Sequence, residues 1–456
     1  MQILVIIFMH KTCFFKYLKY LYKIVYMFCF DFFCFLMLSL YIHIPFCVKN
    51  CPYCSFSVVQ EPSDKMIQDY LLGLHDEIDE RRNVFWKAEV RTIYFGWWTP
   101  NLIWVSEIKK IINHCENVFD CENMWELSFE CNPFPQDQIY EFVADLQKSF
   151  KKYTRFRFSF WIQSLDNWVL ENAWRPYTFP GMVDFLRWLR DLKLENSVFN
   201  FDFMAFGIFN KTKKWDLQLR TPSALDFFQN FVESWFADSF SLYMLELFEH
   251  QKWRKNNSSG ISVMQQSGLF WNEDEIYEEF DILKNIIQNW WYKRYEISNF
   301  SAVWKSSIHN RVYWEMEDYL WLWLSASSFI NGKSSYFQSV KEKLLTDKQM
   351  EDLSWIRWTN NPYFPKYIGW EKMGESSIQV LMEKDYLIES FFLLLRTDRW
   401  IDDILKFESV LVKDYKEKIE LYEKNGFLKL RGRGLVLTDE WMDCYNWIIT
   451  ELLEEI

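Results

Sequence analysis

Cys47, Cys51 and Cys54 follow one another in a C-x3-C-x2-C spacing directly after the apolar run Tyr41-Ile-His-Ile-Pro-Phe46. Three thiolates on one loop can hold three irons of a cubane cluster and leave the fourth iron open for chemistry. A structural zinc site wants four nitrogen or sulfur ligands, usually as two pairs, and no second C-x-x-C or H-x3-H lies close by. Zinc, a disulfide with one spare thiol, or a chance spacing with no metal stay as alternatives on spacing alone. His43, four residues before Cys47 on a strand-like stretch, is expected to face elsewhere.

A cluster loop needs a rigid support. From Ser39 to about Glu246 short β-rich runs alternate with amphipathic stretches. Strands are predicted at Leu40 to Ile44, Thr92 to Phe95, Glu126 to Glu130, Arg157 to Phe160, Phe199 to Met204 and Ser241 to Leu245. Helices are predicted between them, at Asp64 to Arg82 behind a Ser63 N-cap and at Gln136 to Ser149 after Pro135. Six β-α repeats predict parallel strands, too few for a complete eight-fold barrel. The expected fold is therefore α/β, an incomplete (β/α)6 barrel, in which functional residues sit at the C-terminal strand ends. The motifs fall there: Cys47 after the first strand, Gly96-Trp-Trp-Thr-Pro100 after the second, Glu130-Cys-Asn-Pro133 after the third, Gln163-Ser164 after the fourth, and Asp202 in the fifth.

The barrel is expected over residues 39–250. Residues 251–350 open with a polar loop at Lys255 to Ser259 and carry Tyr295-Glu-Ile-Ser-Asn-Phe300 and Ser307-Ile-His-Asn-Arg-Val-Tyr-Trp314. Residues 351–456 are predicted to form a smaller, mainly helical, winged-helix-like domain, with Thr438 capping a last helix to Leu453. Residues 1–38 form an apolar extension. Its run from Ile24 to Leu38 is shorter than the roughly 20 residues that span a bilayer and holds Asp31. The expected start is Met37, just upstream of the first strand.

A formal charge of −12 argues against a nucleic-acid partner, which would leave a basic stripe. Lys151-Lys152 and Lys211 to Lys214 read as solvated faces. Ten cysteines without a pairing pattern fit a reducing, cytoplasmic setting.

Taken together, YIHIPFCxxxCxYC, the TP segment, ExNP, the QS pair, NxD, YEISNF, HNxxYW and the C-terminal LT step resemble the radical S-adenosylmethionine superfamily. The particular likeness is to the oxygen-independent coproporphyrinogen III oxidase-like branch, and it runs from Ser39 almost to the end. It implies a radical-SAM barrel with a [4Fe–4S] cluster on Cys47, Cys51 and Cys54. It also implies S-adenosylmethionine on the fourth iron, lined by Tyr41, Gly96, Thr99, Glu130, Gln163, Arg175 and Asp202; reduction would then yield a deoxyadenosyl radical, chemistry that belongs to the cofactor. Asp202 and Glu130 can accept from hydroxyl or amino donors, and Arg175 can hold a carboxylate. The decarboxylating oxidases carry a fourth cysteine two residues beyond the third, where this chain has Phe56. The resemblance therefore points to the haem-handling side of the branch, with haem as cargo, an acceptor protein, an electron donor for the cluster, and membrane association only through the acceptor. His309 is the candidate haem ligand, although a His beside aromatics is commonly a hydrogen-bonded core residue. The alternative is an oxygen-independent decarboxylase of porphyrin biosynthesis, and only under it is the chain an enzyme.

One feature is foreign to that pattern. About 7% glycine would give ~32 residues, yet the chain has 12 Gly and 25 Trp. The family's GGGTP reads Gly96-Trp97-Trp98-Thr99-Pro100 here, and Trp161, Trp174, Trp291, Trp304, Trp321, Trp323, Trp400 and Trp441 are further suspects. The expectation is that UGA codons decoded as glycine underlie these residues, whereas Trp314, which the family shares, has UGG.

Overall fold

The computed structural model describes residues 37–47, 51–54, 59–97, 100–150, 155–192, 194, 196–207, 223–234, 236–246, 273–323, 326–345, 353–360 and 377–454. Phe56, Trp98, Thr99, the N-terminal extension through Leu36, the two lysine runs and the Lys255–Ser259 loop lie outside them.

Six strands form the parallel run: β1 (Leu38–Ile44), β2 (Val90–Trp97), β3 (Glu126–Cys131), β4 (Phe156–Gln163), β5 (Ser197–Ala205) and β6 (Ser239–Met244). Each predicted strand lies on one of these. Helices return the chain between them, among them Asp64–Phe85, Val105–Val118, Gln136–Ser149 and Phe179–Asp191. Their apolar stripes face the sheet: Ile108, Ile111, Ile112 and Cys115 on one, Ile139, Phe142, Val143 and Leu146 on another, are all buried. Ser63 caps the first helix as predicted, its hydroxyl accepting from the Met66 N–H.

The six strands do not close on each other. The free edge of β1 pairs in parallel with β9 (Tyr319–Leu322), while β6 pairs antiparallel with β8 (Asn299–Ser301), which pairs with β7 (Lys293–Glu296). Beyond β9 the sheet continues antiparallel through β10 (Ser327–Asn331), β11 (Trp355–Thr359) and β12 (Ser377–Leu381). The result is a twelve-stranded sheet in the order β12-β11-β10-β9-β1-β2-β3-β4-β5-β6-β8-β7. Strands β7 to β12 were not foreseen. They are three to five residues long, too short for a period-2 pattern to stand out.

A second hydrophobic core gathers Phe391, Leu395, Ile401, Val410, Leu411, Ile419, Leu435, Ile448 and Leu452 from the C-terminal helices and the hairpin Leu428–Arg431/Gly434–Leu437. Thr438 sits where the last helical segment begins, but its hydroxyl donates to the Gly426 and Phe427 carbonyls instead of capping. The segment starts as a 3-10 turn, and the α-helix proper is Tyr445–Leu452. Lys284 and Arg294 both reach Asp443, at 2.5 and 2.7 Å, tying this region to the barrel side.

Candidate functional site

Register places the chemistry. Tyr41 of β1 lies opposite Tyr94 of β2, Glu130 of β3 opposite Ser159 of β4, and Asp202 of β5 opposite Ser241 of β6. Because parallel strands keep side chains in layers, these residues line one interior. The Tyr94 hydroxyl donates to Glu130 Oε1 at 2.8 Å. Asp202 accepts from Ser159 Oγ at 2.9 Å and from Asn200 Nδ2 at 2.8 Å, and the chain of bonds continues through Ser241 to Asn299. Burial raises the Asp202 carboxyl above its usual range against those hydrogen bonds.

Gly96 is required where it stands. A Cβ there would lie 2.6 Å from Tyr94 Cε1 and 2.7 Å from Tyr41 Cε2. The absent side chain is what lets the two rings stack, at 5.6 Å between centroids.

Cys47, Cys51 and Cys54 are buried and packed together, with Tyr53 and Trp161 against them. Cys47 is held by the short parallel pairing of Phe46–Cys47 with Val59–Gln60. Among the described residues no three His, Cys, Asp or Glu side chains converge on a point that could hold one metal ion. A cubane does not ask for that, because each thiolate reaches a different iron. Arg175 reaches the trio at Cys51: Nη1 donates to Cys51 Sγ at 3.4 Å and Nη2 to the Trp161 carbonyl at 3.1 Å. Tyr177 braces it, accepting from Arg175 Nε at 2.7 Å and donating to the Trp161 carbonyl at 2.6 Å.

Gln163 ends β4 at a register shift and holds a left-handed φ of 64°. Its Oε1 is buried without a hydrogen-bond partner among the described residues. A strained residue with an unsatisfied buried acceptor at the C-terminal strand ends is a mark of a ligand position. The donor set thus fits a cluster with a polar ligand beside it: three buried thiols, an arginine donor, and an open acceptor on Gln163. Thr99, expected in the same pocket, lies outside the described residues.

His309, the candidate haem ligand, lies beside Thr92 and Tyr94 of β2. It is buried in the helix Ile308–Trp314, with Nδ1 2.6 Å from Thr92 Oγ1 and Nε2 2.6 Å from the Tyr313 hydroxyl. Its ring stacks on Tyr94 at 4.8 Å, and burial lowers its pKa to about 3. The Thr92 contact ties this helix to β2, and Tyr313 engages the second ring nitrogen. Sequence reading also missed Glu126. Its carboxylate accepts from the Ile308 and His309 N–H groups and from Arg155. Burial alone would raise its pKa, but Arg155 and Arg157 outweigh burial and hold it at about 2. Its signal was slight, an acid at the first position of a strand. Tyr177 gave none.

Residues 41–210 match the model of the Radical SAM superfamily, a stretch that holds the cysteine trio. Over a longer stretch the chain is similar to the heme chaperone HemW of Buchnera aphidicola subsp. Schizaphis graminum, 27% identical over 319 residues, 68% of this chain and 75% of the relative. It is similar to the Bacillus subtilis heme chaperone HemW at 26% identity over 302 residues, covering 65% and 72%. The fold is shared with the Escherichia coli coproporphyrinogen III oxidase HemN, a radical SAM enzyme, at a TM-score of 0.66 and 16% identity, covering 92% of this chain and 91% of that one.

Among the described residues no helix is long and apolar enough to cross a membrane.

Proposed function

We propose that this chain is a haem chaperone built on the radical SAM barrel, holding a [4Fe–4S] cluster and S-adenosylmethionine and passing haem to an acceptor protein. The observation that carries the cofactor half is the buried trio of Cys47, Cys51 and Cys54, with the Arg175 guanidinium on Cys51. The similarity to heme chaperones supports the haem half. When bound, the cluster would supply one-electron reduction at its open iron. The three thiolates would hold it. Tyr41, Gly96, Thr99, Glu130, Gln163, Arg175 and Asp202 would line the S-adenosylmethionine site, where the buried Gln163 Oε1 is an open acceptor and the Arg175 guanidinium reaches Cys51 Sγ. Electrons would come from a separate donor, in the cytoplasm.

Anaerobic reconstitution tests the reading. The intact chain is expected to take up about four irons, as cubane chemistry requires, and to bind haem with a shifted Soret band. Cys47→Ser, Cys51→Ser and Cys54→Ser should each lose the cluster. Formation of vinyl product from coproporphyrinogen III, with a reductant present, would move the assignment to the oxidase. One zinc in place of iron would remove both.

A further inference from the structure

Nine non-glycine residues among those described have positive φ, and four of them are tryptophan: Trp174 at 57°, Trp291 at 82°, Trp304 at 70° and Trp323 at 104°. Among the described residues glycine supplies three such positions, Gly207, Gly426 and Gly432. The other five non-glycine residues, at 45° to 64°, lie with Trp174 and Trp304 in or at the edge of the small left-handed region an L residue can enter. Trp291 and Trp323 lie beyond it, where the Cβ atom clashes with backbone. Trp291 and Trp304 are also 70% and 67% exposed, so no burial of the indole explains their conformation.

The chain contains its own control. After the helix Tyr415–Lys424, Gly426 takes φ 77°, with bonds from Gly426 N to Glu423 O at 2.9 Å and from Phe427 N to Tyr422 O at 2.8 Å. After the helix Asn167–Asn172 the same turn recurs, with Trp174 N to Glu171 O at 3.1 Å and Arg175 N to Leu170 O at 2.8 Å. This helix stop is normally made by glycine. One copy has it, and the other has the largest side chain. Trp314, by contrast, has ordinary backbone and carries the Arg396 guanidinium 3.9 Å from its ring centroid.

From these observations we infer that glycine, not tryptophan, occupies positions 174, 291, 304 and 323 in the protein as its own cell makes it, through a codon that the cell decodes as glycine. Position 314 is tryptophan in either case. The test is peptide mass analysis of the protein purified from its source organism, read beside the coding DNA. Expected are peptides with glycine at the four positions and tryptophan at 314, with UGA at the former and UGG at the latter. Tryptophan in the native peptides at 291 and 323 overturns the inference, whatever the other positions show.

A separate observation concerns the cysteine trio and rests on the cluster reading above. Arg175 Nη1 donates to Cys51 Sγ, and Tyr177 fixes the guanidinium through Nε. Hydrogen bonds to cluster sulfurs favour the reduced, more negative state and so raise the reduction potential. The geometry points to Tyr177 as a positioning residue for cluster potential, acting through Arg175. The experiment is redox titration of reconstituted protein without S-adenosylmethionine, with iron counted in each sample. At equal iron content, Arg175→Gln is expected to shift the midpoint to more negative values and Tyr177→Phe to shift it in the same direction by less. An unchanged midpoint in Tyr177→Phe with full iron overturns the role. Absence of iron from the intact chain overturns the cluster reading, and this role with it.

Discussion

Left-handed backbone under tryptophan can be weighed by comparing two substitutions at one site. Replacing Trp291 by alanine or by glycine removes the same indole, so lost contacts cancel and only backbone preference remains. A left-handed L residue costs roughly 1–2 kcal/mol, while glycine's extra freedom in the unfolded chain returns about 0.4–1 kcal/mol. Glycine should therefore be the more stable of the pair by roughly 1 kcal/mol at φ 82°, and by more at Trp323, where φ is 104°. Trp188 is the reference, because it lies inside the helix Phe179–Asp191. There alanine should win by ~1 kcal/mol, the ordinary helix preference. The assay is urea unfolding of the purified pairs, read as midpoint shifts at unchanged slope. Inversion of sign between 291 or 323 and 188 is the expected result. If alanine is the better residue at 291 and 323 as well, these positions are not built for glycine and the strain argument fails.

Three further outcomes follow from the interior. Glu126→Gln breaks a buried ion pair with Arg155 and should cost ~3–5 kcal/mol. Because the folded carboxyl is held at about 2, its contribution is present above the ordinary carboxylate range and lost as pH falls toward 2, so the variant should show a flatter acid limb in urea titrations. Asp318 is the opposite case, raised to about 7 by burial against its hydrogen bonds. Folded protein keeps that proton while unfolded chain has released it, so stability falls as pH rises from the ordinary carboxylate range to about 7. The slope is at most about 1.4 kcal/mol per unit. Asp318→Asn, which keeps the acceptor for the Asn331 N–H at 2.8 Å, should remove that slope; an unchanged pH profile would refute the assignment. Gly96→Ala places a methyl against Tyr41 and Tyr94. It should cost roughly 1–3 kcal/mol by overpacking and weaken S-adenosylmethionine binding in calorimetry, whereas an unaffected Tm would show that the rings move freely.

The six parallel strands were legible because each is a buried run bounded by turns, and the three thiols because their spacing suits one kind of cluster. Those features are local. Burial of Glu126, Arg157 and Asp202 together, the saturation of both His309 nitrogens and the bracing of Arg175 by Tyr177 were not. Thr92 and His309 are 217 positions apart, and Arg175 and Cys51 are 124 apart. Only strand register and helix packing bring such groups within hydrogen-bond reach, and no periodicity records it. The same division holds for the tryptophans. Composition alone showed that glycine was too scarce, while the sign of φ, a property of the folded backbone, decided which four indoles stand on conformations that a side chain resists.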